Sequence, residues 1–126
     1  SSTVTAANNA YKMAKITPQE IDIAEIHDAF SVCELMAVED LSLTEKNTGA
    51  MYVRNLFNTE DRKINPRGGL IGAGHPLGAT GIAQIVEITQ QLQNKAKNRQ
   101  VSNAKKGLTH NMSAAATSST VLVLES

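Results

Sequence analysis

The sequence predicts an α/β domain in which helices pack in layers on a mixed sheet. Three segments place apolar residues at the three-to-four spacing of helices, and three others place them in the alternating or continuous pattern of strands. Along the chain the order is helix, strand, helix, a long excursion, helix, strand and strand, which fits a layered α/β arrangement. A chain of 126 residues is large enough to form one such domain with its own core.

The first part of the chain predicts a helix, a turn and a strand. The helix covers about residues 3–15, where the apolar residues share one side. Residues 17–20, Thr-Pro-Gln-Glu, combine a cap, a proline at the first helical position and an acidic residue, which is typical of a short capped turn. The β-branched residues that follow predict a strand that ends at His27-Asp28.

The middle of the chain predicts a second helix and then a long excursion. The helix runs from Phe30 to about Leu41, so the preceding strand and this helix meet at the polar pair His27-Asp28. Residues 42–70 have little periodicity and predict irregular structure. Long excursions of this kind inside a compact domain are usually functional.

The last part of the chain predicts one helix and two strands. The helix covers about residues 79–94, and its apolar side consists of Ile82, Ile85, Val86, Thr89 and Leu92. Residues 95–106 form a basic connection, either a solvated loop or a site for ligand phosphates. The strands cover about 107–111 and 119–125. Because the second is apolar on both faces, we expect it to be a central strand that is covered on both sides.

The most informative segment is the glycine-rich turn from Gly72 to Gly81, which leads into the 79–94 helix. Its four glycines and one proline leave the backbone bare around His75. Such a turn brings N–H groups and an imidazole close to a ligand, and the positive end of the following helix favours negative charge. The turn therefore predicts an anion or oxyanion site. The alternatives are an ordinary strand-to-helix turn with an incidental histidine, and a phosphate-binding module, which the missing Gly-Lys-Ser/Thr disfavours.

The three histidines, His27, His75 and His110, each lie at a predicted strand end or strand-to-helix turn. Ligand crevices of open α/β sheets form at such ends. We therefore predict that the three rings share a site for acid–base chemistry and oxyanion stabilisation. A structural role for each ring and a zinc site are the alternatives. No two histidines lie four residues apart on a helix, so no metal is expected.

Composition disfavours several other classes of protein. Twelve basic and twelve acidic residues give no net charge, so neither nucleic acid nor an anionic membrane is an expected partner. Cys33 is the single cysteine and forms no intrachain disulfide, which predicts a reduced, cytoplasmic location. No apolar run is long enough to cross a bilayer. The chain begins at Ser1 without an initiator methionine, and we expect it to be part of a larger protein.

Four motifs together resemble the C-terminal half of a thiolase. They are His27-Asp28-Ala29-Phe30, Asn65-Pro66-Arg67-Gly68-Gly69, Gly74-His75-Pro76-Leu77-Gly78-Ala79-Thr80-Gly81, and His110-Asn111 before the terminal strand. Within that superfamily the chain is most similar to the archaeal acetoacetyl-CoA thiolases and the sterol-carrier-protein-type thiolases. The resemblance covers nearly the whole chain, with the motifs in order.

The resemblance implies a fold, a reaction and partners. A thiolase consists of two similar βαβαβ halves, and residues 1–126 would be the second. An acyl group passes through a cysteine thioester, and a carbon–carbon bond between acyl units is made or cleaved; coenzyme A thioesters are the substrates, and no other cofactor is expected. The nucleophilic cysteine belongs to the N-terminal half, so this half alone would be inactive. Further implied partners are acyl-CoA, other copies of the complete enzyme in a homo-oligomer, and an accessory acyl-CoA-binding subunit.

The resemblance also implies roles for individual residues. His75 would activate the nucleophilic cysteine and help to form an oxyanion hole for the thioester carbonyl. His27 would stand where many relatives carry an asparagine that holds a catalytic water, and Phe30 would pack behind it. The other residues that would shape the substrate site are Asn65, Gly68, Gly69, Gly74 and Asn111.

Two departures from the family concern its second catalytic cysteine. Many thiolases carry it in a glycine-rich loop before the last strand, where residues 110–114 of this chain contain neither cysteine nor glycine. The sterol-carrier type takes it from the position after Asp28, which is Ala29 here. Cys33 is predicted to belong to the core. His110 or a water would then serve as the base. The alternative is a thiolase-like subunit that binds acyl-CoA or organises a partner without chemistry of its own.

Overall fold

Three strands form a mixed sheet in the computed structural model, which describes residues 1–126. They are β1 (Ile23–Glu25), β2 (Lys106–Met112) and β3 (Ser119–Glu125), and they lie in that order across the sheet. β1 pairs with β2 in parallel, and β2 pairs with β3 in antiparallel orientation. One further parallel bridge joins Ala24 to Ile64 on the free side of β1. The predicted α/β fold, with helices on a mixed sheet, is confirmed.

Five α-helices accompany the sheet: α1 (Ser2–Ala14), α2 (Ser31–Asp40), α3 (Gly49–Asn58), α4 (Gly69–Ala73) and α5 (Thr80–Leu92). Of these, α1, α2 and α5 match the predicted helices to within two residues at each end. The prediction of irregular structure over residues 42–70 is wrong, because α3 and the start of α4 lie there. The start of α3 is capped by a side chain of the preceding helix. The Gly49 N–H donates to Glu39 Oε1 on α2 at 2.8 Å. Local sequence contains no sign of such a cap.

The core lies mainly on one face of the sheet, beneath α1 and α2. It consists of Ala7, Tyr11, Ala24, Ile26, Ala37, Val38, Leu41, Leu108 and Val121. The Tyr11 hydroxyl donates to the Leu41 carbonyl at 2.7 Å and joins the two helices. A smaller cluster on the other face contains Ile23, Ile88, Leu92 and Ala104, and packs α5 onto the sheet. The sheet is therefore sandwiched between helical layers.

α5 turns a largely polar side to the sheet and much of its apolar side outward, although Ile88 and Leu92 also pack on the sheet. The side that faces the sheet includes Thr80, Gln84, Glu87 and Gln91, all buried. Most of the polar groups there have internal partners: the Gln84 amide N–H donates to the His110 carbonyl at 2.9 Å, whereas the Gln84 amide oxygen has no partner. Much of the apolar side instead faces outward, where Ile82 is 62% exposed. The domain thus presents an apolar helical surface to its surroundings.

β3 lies at the edge of the sheet and not at its centre. It pairs with β2 alone, and Leu122 on its outer part is exposed. The prediction of a central strand covered on both sides is therefore wrong for the arrangement within residues 1–126. None of the helices is long and apolar enough to cross a membrane.

Candidate active site

A cleft of about 670 Å³ opens beyond the carboxyl ends of β1 and β2. Its walls are His27, Ala29, Phe30, His75, Leu77, Asn111, Met112, Ser113, Ala114, Ser118 and Thr120. Crevices of α/β sheets form at this end because loops diverge there. The structure thus brings four of the residues predicted for the site, His27, His75, Phe30 and Asn111, to one cavity.

His27 follows β1 and is largely buried at the cleft wall. Its Nδ1 lies 2.6 Å from Asn111 Oδ1. Because an amide oxygen only accepts hydrogen bonds, Nδ1 carries the proton and Nε2 keeps a lone pair. Burial lowers the pKa of His27 below its ordinary value of 6.5, against the Asn111 hydrogen bond, which raises it. The neutral ring with an unprotonated Nε2 is therefore favoured.

His75 stands on the exposed glycine-rich turn and faces His27. The two ring centroids are 5.0 Å apart and the rings are nearly perpendicular, at 88°. Gly74 has a φ of 91°, in the left-handed region that glycine tolerates. The Nδ1 of His75 lies 2.7 Å from Thr80 Oγ1. As in His27, Nδ1 is engaged while Nε2 makes no hydrogen bond within the chain.

Asn111 reaches the cleft because the glycine-rich turn leaves space for it. Asn111 lies on β2, beside the first turn of α5. A Cβ atom at Gly81 would lie 2.8 Å from Asn111 Nδ2, closer than real Cβ atoms approach their neighbours. The last glycine of the motif therefore allows the amide to lie against α5 while it accepts from His27.

His110 is not part of the cleft. It is 1% exposed and lies on the face of β2 that is opposite to Asn111, because neighbouring residues of a strand point to opposite faces. Its Nε2 lies 3.1 Å from Thr3 Oγ1 on α1, and the backbone N–H of His27 donates to its Nδ1 at 3.5 Å. Burial lowers the pKa of His110 to about 4. The ring is thus neutral, enclosed and hydrogen-bonded at both nitrogens.

The predicted loop residues Asn65, Gly68 and Gly69 lie behind the cleft rather than in it. Asn65 Oδ1 accepts from the backbone N–H of Ile26 at 2.7 Å, directly before His27. Asn65 and Gly68 line a separate pocket of about 370 Å³. The Asn65 contact connects the Asn65–Gly69 segment to the end of β1, directly before His27.

Asp28 makes a second connection between that strand and the segment. Its Oδ1 accepts from the Leu70 N–H at 2.6 Å, at the start of α4. Gly69, with a φ of 62°, sits against this carboxylate, so that any Cβ there would collide with it. Gly69 therefore lets α4 approach Asp28.

Two further predictions about side chains are corrected by the structure. Phe30 does not pack behind His27; it is 71% exposed on the cleft rim. Cys33 is half-buried on α2, outside both core clusters, and does not line the cleft. No cysteine of this chain therefore faces the two histidines.

Thr80 was not predicted from sequence. It is buried at the first position of α5, five residues after His75, and contacts that ring. The sequence signal for this role is a hydroxyl residue at the point where a loop enters a helix, because such side chains often form hydrogen bonds to nearby groups. No group of three or more histidine, cysteine, aspartate or glutamate side chains is placed to hold a metal ion.

The domain is thus of the layered α/β class, with a cleft at the strand ends and two histidines that face each other at its wall. The chain belongs to the thiolase C-terminal domain-like family, which matches residues 1–126.

Two relatives illustrate the similarity within the family. The chain is 51% identical over 112 residues to the acetyl-CoA acetyltransferase of Methanothermobacter thermautotrophicus, a match that covers 87% of this chain and 29% of the relative. It is 48% identical over 109 residues to human sterol carrier protein 2, covering 85% of this chain and 20% of that protein. The chain thus spans less than a third of either relative.

Two solved structures share the fold. One is described as the Ltp2-ChsH2(DUF35) aldolase, with a TM-score of 0.84 and 17% identity over 98% of this chain and 31% of the other. The second is the peroxisomal 3-ketoacyl-CoA thiolase of Saccharomyces cerevisiae, with a TM-score of 0.63 and 24% identity over 96% of this chain and 28% of the other. That thiolase is described as a five-layered structure built from two core domains of identical topology.

Proposed function

We propose that this chain is the C-terminal half of a thiolase-type acyltransferase and that His75 acts on a thioester in the cleft. The main support for this proposal is the pair of rings, His27 and His75, whose centroids are 5.0 Å apart on the wall of one cleft. Both rings use Nδ1 in a hydrogen bond within the chain and leave Nε2 free. Two oriented imidazoles of this kind suit acyl transfer, which needs a base and an oxyanion donor.

In the proposed first step, His75 activates a cysteine of the N-terminal half. Nε2 takes the thiol proton, and the thiolate attacks the carbonyl carbon of an acyl-CoA thioester. The imidazolium then donates its Nε2–H to the negative oxygen of the tetrahedral intermediate. When the oxygen re-forms its double bond, coenzyme A leaves as a thiol with that proton, and the acyl group remains on the cysteine.

For the second step, which joins the acyl group to another acyl unit, we propose that His27 contributes. Its Nε2 is unprotonated and accessible to a water or to the second substrate at the cleft wall. The sequence makes His110 a candidate base, but its enclosed ring does not favour that role. We propose instead that His110 supports His27 through the backbone N–H that it accepts.

The proposed partner is an N-terminal half that packs on the outward side of α5. The chain spans less than a third of its relatives, and the apolar side of α5 faces outward. A large exposed apolar patch commonly marks such an interface. A homo-oligomer of the complete enzyme, an accessory acyl-CoA-binding subunit and a cytoplasmic location belong to the same proposal.

The test replaces His75 in the protein that also carries the nucleophilic cysteine. With His75→Ala, we expect acetoacetyl-CoA cleavage to fall by about a hundredfold or more, because a base and oxyanion donor is lost. Ser102→Ala, on an exposed turn at the opposite end of the sheet, is the matched control and should keep full activity. We expect no cleavage from residues 1–126 alone. An unchanged rate in His75→Ala would show that the ring has another role.

A second candidate function is a thiolase-like subunit that binds acyl-CoA without turnover. The observation that favours it is the absence of cysteine from the cleft wall. The cleavage assay, combined with a measurement of acyl-CoA binding, separates the two functions. If the complete protein binds acyl-CoA, measured by calorimetry, but cleaves no acetoacetyl-CoA, the binding function is supported and the acyltransferase proposal fails.

A further inference from the structure

We propose that Thr80 is a positioning residue for His75: its hydroxyl accepts the Nδ1–H of the ring and thereby reserves Nε2 for the reacting groups. The use of Nε2 in catalysis rests on the function proposed above. The tautomer of the ring does not depend on that proposed function, because contacts within this chain fix it.

The direction of the hydrogen bond follows from the partners of the Thr80 hydroxyl. A hydroxyl has one hydrogen to donate. Thr80 Oγ1 lies 3.1 Å from the Pro76 carbonyl oxygen, which can only accept. The hydroxyl hydrogen is therefore directed to Pro76, and the lone pairs of Oγ1 face the His75 Nδ1 at 2.7 Å. A contact of this length has a hydrogen between the two atoms, so the proton lies on Nδ1.

Thr80 can hold this orientation because it is itself fixed. The residue is 1% exposed and opens α5. Its backbone N–H donates to the Pro76 carbonyl at 2.9 Å, the same oxygen that accepts from its hydroxyl. The β-branched side chain also has restricted χ1 freedom. Backbone and side chain therefore hold Oγ1 in one place.

His75, by contrast, has no other restraint of this kind. The ring stands on an exposed turn between glycines, and its bond to Thr80 is the single hydrogen bond that it makes within the chain. Without that acceptor, the neutral ring can carry its proton on either nitrogen, and it can rotate. In the Nε2–H form it could no longer take a proton from a thiol. Thr80 therefore determines both the tautomer and the direction of the ring.

His27 supports this interpretation by showing the same arrangement with a different partner. There the acceptor at Nδ1 is the Asn111 amide oxygen, at 2.6 Å. Each ring of the facing pair thus gives its Nδ1 proton to an acceptor held by the first turn of α5 or by the strand beside it. The shared result is that both unprotonated nitrogens remain accessible.

The experiment combines tautomer measurement with kinetics on the full-length protein. Histidine labelled with ¹⁵N reports directly, by NMR, which ring nitrogen carries the proton, and His75→Ala assigns the signal. Three variants are compared: Thr80→Val, which keeps the shape and removes the hydroxyl; Thr80→Ser, which restores it; and Thr5→Val, the matched control at an exposed threonine of α1.

We expect His75 to be the Nδ1–H tautomer in the wild type, in Thr80→Ser and in Thr5→Val, and a mixture of tautomers in Thr80→Val. The kcat of Thr80→Val should fall roughly tenfold, as expected for the loss of one hydrogen bond, while KM for acyl-CoA stays within about twofold. A merely structural role would not shift the tautomer or be rescued by serine.

An Nε2–H tautomer in the wild type would overturn the proposal, as would an unchanged tautomer in Thr80→Val. If Thr80→Val does not fold, the wild-type and Thr80→Ser spectra still decide. If the tautomer is as expected but His75→Ala keeps full activity, the positioning by Thr80 stands and the proposed function fails.

Discussion

His110 is a buried, neutral imidazole that connects three parts of the domain. It lies on β2, its Nε2 contacts Thr3 on α1, and its Nδ1 accepts from the backbone of His27. A protonated ring could not keep the second contact, because both of its nitrogens would then be donors. The state of this one proton is therefore linked to the stability of the fold.

We expect this linkage to appear as acid sensitivity. The folded protein protonates His110 at a pH of about 4, whereas the unfolded chain does so near the ordinary pKa of 6.5. Below pH 6.5 the unfolded state binds more protons, so the free energy of unfolding falls as the pH is lowered from 6.5 to 4. In His110→Gln, which keeps a donor and an acceptor but does not titrate, this loss should be smaller by about 1–3 kcal/mol.

Urea unfolding of both proteins at several pH values between 4 and 8 measures the difference. Glu25, which burial holds at a raised pKa of about 7, acts in the opposite sense between its ordinary pKa and 7. The stability it contributes falls as the pH rises through that range. Because Glu25 is present in both proteins, its effect cancels in the comparison. Equal acid sensitivity of the two proteins would contradict the prediction that protonation of His110 destabilises the fold.

The sequence could predict that His27, His75, Phe30 and Asn111 meet at one cleft, but it wrongly placed His110 there as well. His27 and Asn111 follow or end parallel strands, and such ends share one edge of a sheet. The face of a strand residue depends on register, and β2 is one residue longer at each end than predicted. In the observed register His110 points to α1, while Asn111 points to α5.

At the scale of elements, the turn that joins β2 to β3 has an unusual backbone. Ala115 and Ala116 both have positive φ, of 60° and 53°. This left-handed conformation costs a residue with a Cβ about 1–2 kcal/mol, whereas glycine adopts it readily. The turn is closed by the Ser113 N–H, which donates to the Ser118 carbonyl at 3.0 Å. Alanines here thus occupy conformations that suit glycine.

We expect Ala115→Gly to raise the free energy of unfolding by up to about 1 kcal/mol, because relief of backbone strain exceeds the entropy that glycine adds to the unfolded chain. Ala114→Gly is the matched control, since Ala114 has no positive φ. That change should lower stability by roughly 0.5–1 kcal/mol. Thermal unfolding of the two variants measures both effects. A decrease in both would indicate that the turn is not strained at Ala115.

The sequence predicted α5 as an element but not its orientation. The spacing of Ile82, Ile85 and Val86 is sufficient to predict an amphipathic helix. It does not say which surface covers the apolar side. Here a largely polar side faces the sheet, and its groups bond internally, as the Gln84 amide does to the His110 carbonyl at 2.9 Å. These partners come from distant parts of the chain, so no local pattern reveals them.

At the scale of the whole molecule, the outward side of α5 is where we propose that the N-terminal half packs. A charge placed in that interface would be buried without a partner, which is costly. We expect Ile82→Asp to weaken the association of the two halves at least roughly tenfold, measured by calorimetry. Met13→Asp is the matched control, because Met13 is an exposed apolar residue on α1, in the opposite helical layer.

Met13→Asp should leave the association unchanged. If both variants bind the N-terminal half as tightly as the wild type, the interface lies elsewhere. If both weaken binding equally, the effect comes from charge and not from position.

The open edge of β3 has a consequence for handling the chain by itself. A strand that pairs on one side leaves alternating N–H and C=O groups free to bond to another strand. Between Ser119 and Leu124 there is neither proline nor a charged residue to prevent this, and Leu122 is exposed. We therefore expect residues 1–126, when produced alone, to self-associate edge to edge in a concentration-dependent way. Refolding at low protein concentration would reduce this self-association.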